Sequence, residues 1–204
     1  MKKFTAIKRC PWAENNDKMR AYHDTEWGTP CRNDRVLFEY ILLDSFQAGL
    51  SWDIILKKRE NFRRAFSNFD PVKIARYDKR KINLLLKDTG IVRHRGKIEA
   101  AVRNAKIFFA IQKELGSFAP HHTMGGFAKY LRDFVGDNAK QNAWKKEDQI
   151  PATTKLGDTI SKDLKKRGFK FFGPTTTYAF LQGAGVVNDH IVSCFRYKEC
   201  GRRR

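Results

Sequence analysis

Acid is scarce in this sequence. Only 22 Asp and Glu stand against 41 Lys and Arg, so 204 residues carry a formal charge of +19 at pH 7. A chain so unbalanced disfavours basic partners and favours a polyanion. Long apolar runs are also missing. Nothing approaches the roughly 20 residues that span a bilayer. The start, MKKFTAIKRCPW, has basic residues but no apolar stretch behind them, so it does not read as a secretory signal. Cysteine is sparse, with four residues, Cys10, Cys31, Cys194 and Cys200. A chain of this size does not need disulfide staples, so reduced thiols and a cytoplasmic setting are expected. Gly/Ser linkers and internal repeats are absent, which argues for one unit over 1–204. What is present is a core: hydrophobic residues make up 41% and Phe alone numbers 16. That excludes a disordered basic tail.

The basic residues are mixed through the chain, in LKKRENFRR, RYDKRK, RHRGK, WKKED and LKKRGFK. Apart from the closing GRRR they form no detachable block. A basic face on a folded body, suited to nucleic acid, is the expectation. No isolated basic amphipathic helix stands out, so a membrane surface is disfavoured.

The periodicity is helical nearly throughout. Residues 34–46 start on an Asp suited to capping, and Ser51 precedes WDIILKKRENFRRAF. Asp70-Pro71 reads as a cap followed by proline at the first helical position. Asp78 precedes KRKINLLLKD, which stops near Gly90. A long helix over KIEAAVRNAKIFFAIQKEL, another over 125–135, one from Asp158 to Gly168 and one from Pro174 complete the middle. A last helix is expected to begin near Asn188-Asp189 and to carry both His190 and Cys194. No strand pairing is expected, although FKFF at 169–172 reads as extended, and 136–155 reads as a long polar loop. The class is all-α.

Three groups of residues carry chemistry. The first is Cys10 and His23 near the start, with His190 and Cys194 near the end. A His/Cys pair four apart on a helix presents two ligands to one point. With Cys10 and His23 it would form a Cys₂His₂ set suited to closed, tetrahedral, structural zinc. The competing reading is two buried thiols and two unrelated histidines. The second group is KINLLLKDTGIVRHRGKIEAAVRN at 81–104. A helix ends at a glycine, a turn follows, and Gly96 opens another helix. Arg93, Arg95 and Lys97 sit where they could meet a DNA phosphate beside a helix N-terminus. A basic loop between two core helices is the alternative. The third group lies in AYHDTEWG and LDSFQAGLSW. Tyr and Trp beside carboxylates could read a flipped nucleobase, and a cationic base would gain cation–π attraction. Aromatics at helix ends are more often core.

Together these segments resemble the bacterial 3-methyladenine DNA glycosylase I family. The resemblance rests on RCPW, YHDTEWG, LFEYILLDSFQAGLSW, LKKREN, FDPVKIA, GIVRHRGKI, LKKRGFKFFGPTTTYAFLQGAGVVNDH and the closing HxxxC. It runs from residue 10 to residue 194. It implies an all-α helix–hairpin–helix glycosylase fold, with the hairpin part at about 34–135. The segments 1–33 and 136–204 would pack together around one zinc ion, held by Cys10, His23, His190 and Cys194. It also implies that Tyr22 and Trp52 line the base pocket, with Trp12 and Trp27 near it. Gly49 and Leu50 would approach the gap left by the extruded nucleotide. Asp44 stands where the family pattern has Glu, shorter by one methylene, or about one bond length.

The implied reaction is excision of 3-methyladenine from alkylated double-stranded DNA. The N3-alkylated base is cationic and leaves neutral, so departure needs little acid catalysis. Asp44 would hydrogen-bond the base and stabilise positive charge. No lysine lies in a Schiff-base motif, so a monofunctional enzyme without strand cleavage is expected, acting as a monomer. The competing classes are a non-catalytic lesion binder and a general nucleic-acid-binding zinc protein.

Overall fold

The computed structural model describes residues 7–116, 125–136 and 138–201. Its helices are α1 (Asp17–Thr25), α2 (Asp34–Gln47), α3 (Trp52–Ala65), α4 (Pro71–Ile74), α5 (Lys79–Leu85) and α6 (Arg95–Glu114). They continue with α7 (Gly126–Val135), α8 (Lys155–Arg167), α9 (Pro174–Gly183) and α10 (Phe195–Cys200). The all-α class holds. The closing arginines Arg202–Arg204 lie outside the described residues.

α2 is the centre. Every residue from Leu37 to Phe46 is buried, and a helix apolar on all sides must be covered on all sides. α3, α6, α7 and α9 pack around it. Phenylalanines fill the joints. Phe46 packs edge-on against Phe62 at 4.8 Å, and Phe108 stacks on Phe127 at 4.3 Å. Each such pair adds about 0.5–1.5 kcal/mol beyond area burial.

The caps follow sequence logic. Ser51, Asp70 and Asp78 each accept a backbone N–H from the first turn they precede, as expected, whereas α2 is capped by Asn33, one residue before the expected Asp34. Asp34 does something local sequence cannot show. Its carboxylate accepts the N–H groups of Phe127 and Ala128, both at 3.0 Å, and so caps α7 from another helix.

Three expectations are corrected. α8 begins at Lys155 with Thr154 as its cap, while Asp158 sits inside the first turn and receives the Thr153 hydroxyl. Two strands exist: β1 (Lys140–Gln141) pairs in parallel with β2 (Val187–Asn188). Two residues are too few for alternation to register in a sequence. The last helix starts at Phe195, with Cys194 as its cap. His190 precedes it outside any helix, next to Asp189, which four donors hold in place. Tyr178, Gln182, Asn142 and Trp144 reach its carboxylate at 2.6–2.8 Å. His190 and Cys194 therefore do not share a helix face.

Candidate active site and metal group

α1, the end of α2 and the start of α3 converge on one aromatic wall. Tyr22 from α1 lies 5.3 Å, centroid to centroid, from Trp52 at the first position of α3. Trp12 stands 6.3 Å from Tyr22 on the other side. Trp27 packs edge-on against Trp12 at 5.1 Å, and is also stacked on His23 at 6.2 Å and edge-on to His190 at 4.6 Å. The Trp52 indole N–H is buried and has no partner among the described residues.

Asp44 sits in the last turn of α2 and is 6% exposed. Burial pushes its carboxyl well above the usual carboxylate range. Burial also raises the Tyr22 hydroxyl, with the charges of Tyr40, Asp44 and Glu26 adding to it. Asp44 thus lies in a dry setting, close enough to Tyr22 for its charge to be felt at that hydroxyl.

The loop after α2 is braced on both sides. The Gln47 side-chain amide donates to the Leu50 carbonyl at 2.6 Å. Gly49 takes φ +83°, and a Cβ there would meet nothing within 4 Å. That is an exposed, left-handed tip suited to glycine. Lys97 supplies the second brace. Its ammonium donates to the carbonyls of Phe46 at 2.8 Å and Ala48 at 2.5 Å. It is 6% exposed, and burial lowers its pKa. The expected outward role of Lys97 at a phosphate is therefore corrected: its charge satisfies the orphan carbonyls at the end of α2. Lys97→Met is expected to destabilise the fold by ~2 kcal/mol, the cost of losing charge-assisted hydrogen bonds at buried carbonyls. It should leave the salt dependence of DNA binding unchanged; thermal melting and a salt titration check both.

The turn over 86–94 joins α5 to α6. Lys58 and Asn61 of α3 hold it by donating to the Gly90 carbonyl. His94 caps α6, its Nδ1 accepting the Lys97 N–H at 3.2 Å. Arg93 and Arg95 are exposed beside this N-terminus, and Gly96 lies within its first turn. Among the described residues Arg95 is engaged by Asn83 and Glu99 at the surface, at 3.2 and 3.5 Å. Such pairs contribute about 0–1 kcal/mol and exchange easily for a phosphate.

Behind the pocket lies an ion network that spacing did not reveal. Arg59 of α3 is bidentate to Glu26 at 2.7 and 2.8 Å and also reaches Glu39 at 2.7 Å. Arg63 reaches Glu39 at 2.9 Å, and the Tyr40 hydroxyl donates to Glu26 at 3.1 Å. The network fixes α1 against α2 and α3, and hence Tyr22 against Asp44 and Trp52. Its only sequence signal was a set of unassigned charges within helices otherwise read as core.

Cys10, His23 and Cys194 form a buried group whose ligand atoms all lie within 4.8 Å of one another, able to hold a metal. His23 Nδ1 faces Asp24 at 2.8 Å, and Asp24 is gripped by Arg9. This carboxylate fixes the ring so that Nε2 points at the thiols. The His190 ring lies 4.9 Å from that of His23. Its Nδ1 is bound by Asn188 at 2.9 Å, while its Nε2 is buried without a partner among the described residues and lies outside the three-residue group. Burial, then His23 and Arg196, lowers its pKa to about 3, so the imidazole is neutral. The Cys194 thiol is lowered, first by its hydrogen bond with Cys10. Gly28, at φ +75°, passes so close to His190 that a Cβ would lie 2.6 Å from the ring.

A helical body that sets an aromatic wall and a dry carboxyl beside a basic turn defines a base-excising DNA repair enzyme. The methyladenine glycosylase family model matches residues 12–197, and the chain belongs to that family. It is 41% identical over 191 residues to DNA-3-methyladenine glycosylase 1 of Escherichia coli K12, covering 94% of this chain and 97% of that one. The Haemophilus influenzae DNA-3-methyladenine glycosylase is 42% identical over 186 residues, covering 91% and 96%. The Staphylococcus aureus 3-methyladenine DNA glycosylase I, solved to show how it recognises 3-methyladenine, superposes with a TM-score of 0.86. It is 32% identical, covering 98% of this chain and 100% of that one. No helix among the described residues is long and apolar enough to cross a membrane.

Proposed function

We propose that this chain excises 3-methyladenine from alkylated double-stranded DNA by hydrolysing the N-glycosidic bond, as a monofunctional, monomeric, cytoplasmic enzyme. The observation that carries the reading is the Tyr22–Trp52 wall beside the buried Asp44 carboxyl. Gly49 and Leu50 enter the gap in the duplex as the damaged nucleotide swings out. Tyr22 and Trp52 stack on the electron-poor ring. Asp44 meets the arriving cation as a carboxylate, because that charge offsets the burial that pushes its carboxyl upward. The carboxylate then hydrogen-bonds the base and stabilises positive charge as the bond to the sugar breaks. The base departs neutral, and water attacks the sugar. Lys97, which braces this loop, is tied to the Phe46 and Ala48 carbonyls, which supports hydrolysis without a Schiff base.

Cys10, His23, His190 and Cys194 would hold the zinc ion, with the orphaned Nε2 of His190 as the fourth donor. Four protein donors leave no open position, so the ion's chemistry there is structural. Arg93, Arg95 and the N-terminus of α6 at Gly96 would hold phosphate. Replacing both arginines with alanine is expected to weaken binding to all duplexes and to flatten the salt slope by about 2; anisotropy titrations across KCl concentrations check this.

The test of the function is release of free base from methylated duplex DNA, identified by chromatography. Release of 3-methyladenine with intact strands supports the reading. Tight binding of alkylated DNA without release would make the chain a lesion binder. Equal binding to damaged and undamaged duplex without release would make it a general nucleic-acid-binding protein.

A further inference from the structure

Phe171 is a large apolar side chain left 41% exposed, and its backbone takes φ +53°. A non-glycine residue pays for that conformation with a Cβ–carbonyl clash. The residues around it leave no alternative. Asn104, itself buried in α6, binds both backbone groups of Lys170 at 2.9 Å. Arg103 donates to the Gly168 carbonyl at 2.7 Å. Ser161 and Thr177 both donate to the Phe172 carbonyl. Phe169 and Phe172 point into the core, each 4% exposed. The segment between α8 and α9 is thus pinned on both sides of Phe171, and the pinning forces this one ring outward.

The place it reaches is specific. The ring lies 5.7 Å, edge-on, from that of His94, which caps α6. A Cβ on Gly96 would come within 3.3 Å of it. Phe171 therefore stands at the N-terminus of α6, with exposed Lys170, Arg93 and Arg95 around it. An apolar ring inside a positive patch complements a surface that alternates anionic groups with apolar ones. The sugar–phosphate backbone of DNA has that alternation.

We infer that Phe171 is a DNA-contacting residue whose ring packs on the deoxyribose next to the phosphate held at the N-terminus of α6. The inference rests on the proposed role of that turn in DNA binding. Backbone strain at an exposed residue, over-determined by its neighbours, is consistent with a site kept for contact rather than for stability.

The test uses the full chain and a fluorescein-labelled duplex carrying a tetrahydrofuran abasic-site analogue. Phe171→Gly and Phe171→Asn both accept a positive φ, so they remove the ring without adding strain. Kd is expected to rise about fivefold or more, a loss of ~1 kcal/mol in binding. The slope of log K against log salt should not change, because no charge is lost. The melting temperature should stay within about 2 °C of the parent or rise. A Kd within twofold of the parent overturns the inference. So does weakened binding accompanied by a clearly lower melting temperature in both variants, which would make Phe171 a fold residue. The double arginine variant separates the two readings. If its salt slope matches the parent, the turn does not hold phosphate, whatever Phe171 does.

Discussion

Asp44→Asn is expected to lower base release by about 10² or more, the scale on which a preorganised electrostatic group acts at a developing charge. The fold should not suffer. Asp44 is buried and its carboxyl is pushed well above its ordinary range by desolvation. A group whose folded pKa is raised favours the fold below its unfolded pKa. That relative advantage is lost as pH rises through the folded value. The amide cannot ionise, so the variant should melt at the same temperature as the parent or higher at neutral pH. Activity and stability then move apart, which marks a group kept for chemistry. Asp44→Glu is the companion. The added methylene restores the reach of the family pattern. Chromatography of released base over a pH series reads both variants. Parent-like release by the asparagine variant would remove Asp44 from the mechanism and return the pocket to its aromatic wall alone.

Loss of the metal group is expected to cost more than any single core contact. Cys194→Ser, or chelation of the parent protein, should lower the melting temperature by about 10 °C or more. That corresponds to several kcal/mol for a chain of this length. The readout is the melting curve together with metal content, one zinc per chain in the parent and none in the variant. Four protein donors would leave the ion no open position, so residual base release from folded, metal-poor protein is compatible with a structural ion. Unchanged melting in a parent that contains no zinc would leave Cys10, His23 and Cys194 as buried thiols around a histidine.

The sequence made the helices legible where their ends carry their own caps. Asn33, Asp70 and Asp78 act within one turn of where they stand, so a local reading finds them or their neighbours. Asp34 caps a helix more than ninety residues away, and nothing near it in the chain says so. The same distinction separates the site residues. Tyr22, Trp52 and Asp44 announced themselves through dense, unusual segments. Lys97 looked like its basic neighbours, and only the fold shows that its side chain runs inward to the end of α2. The His190–Cys194 spacing suggested a helix that does not form there. Four donors on Asp189 hold the chain there instead, and all of them come from outside the NDHIVSC segment.

The two ends of the described chain are clasped. The Phe195 N–H donates to the Lys8 carbonyl at 2.9 Å, and Cys10 faces Cys194 inside the metal group. Most proteins fray from their termini, and proteases begin there. Here the molecule is closer to a closed ring than to a string with two tips. Unzipping of the described body then requires the two segments farthest apart along it to let go of each other together.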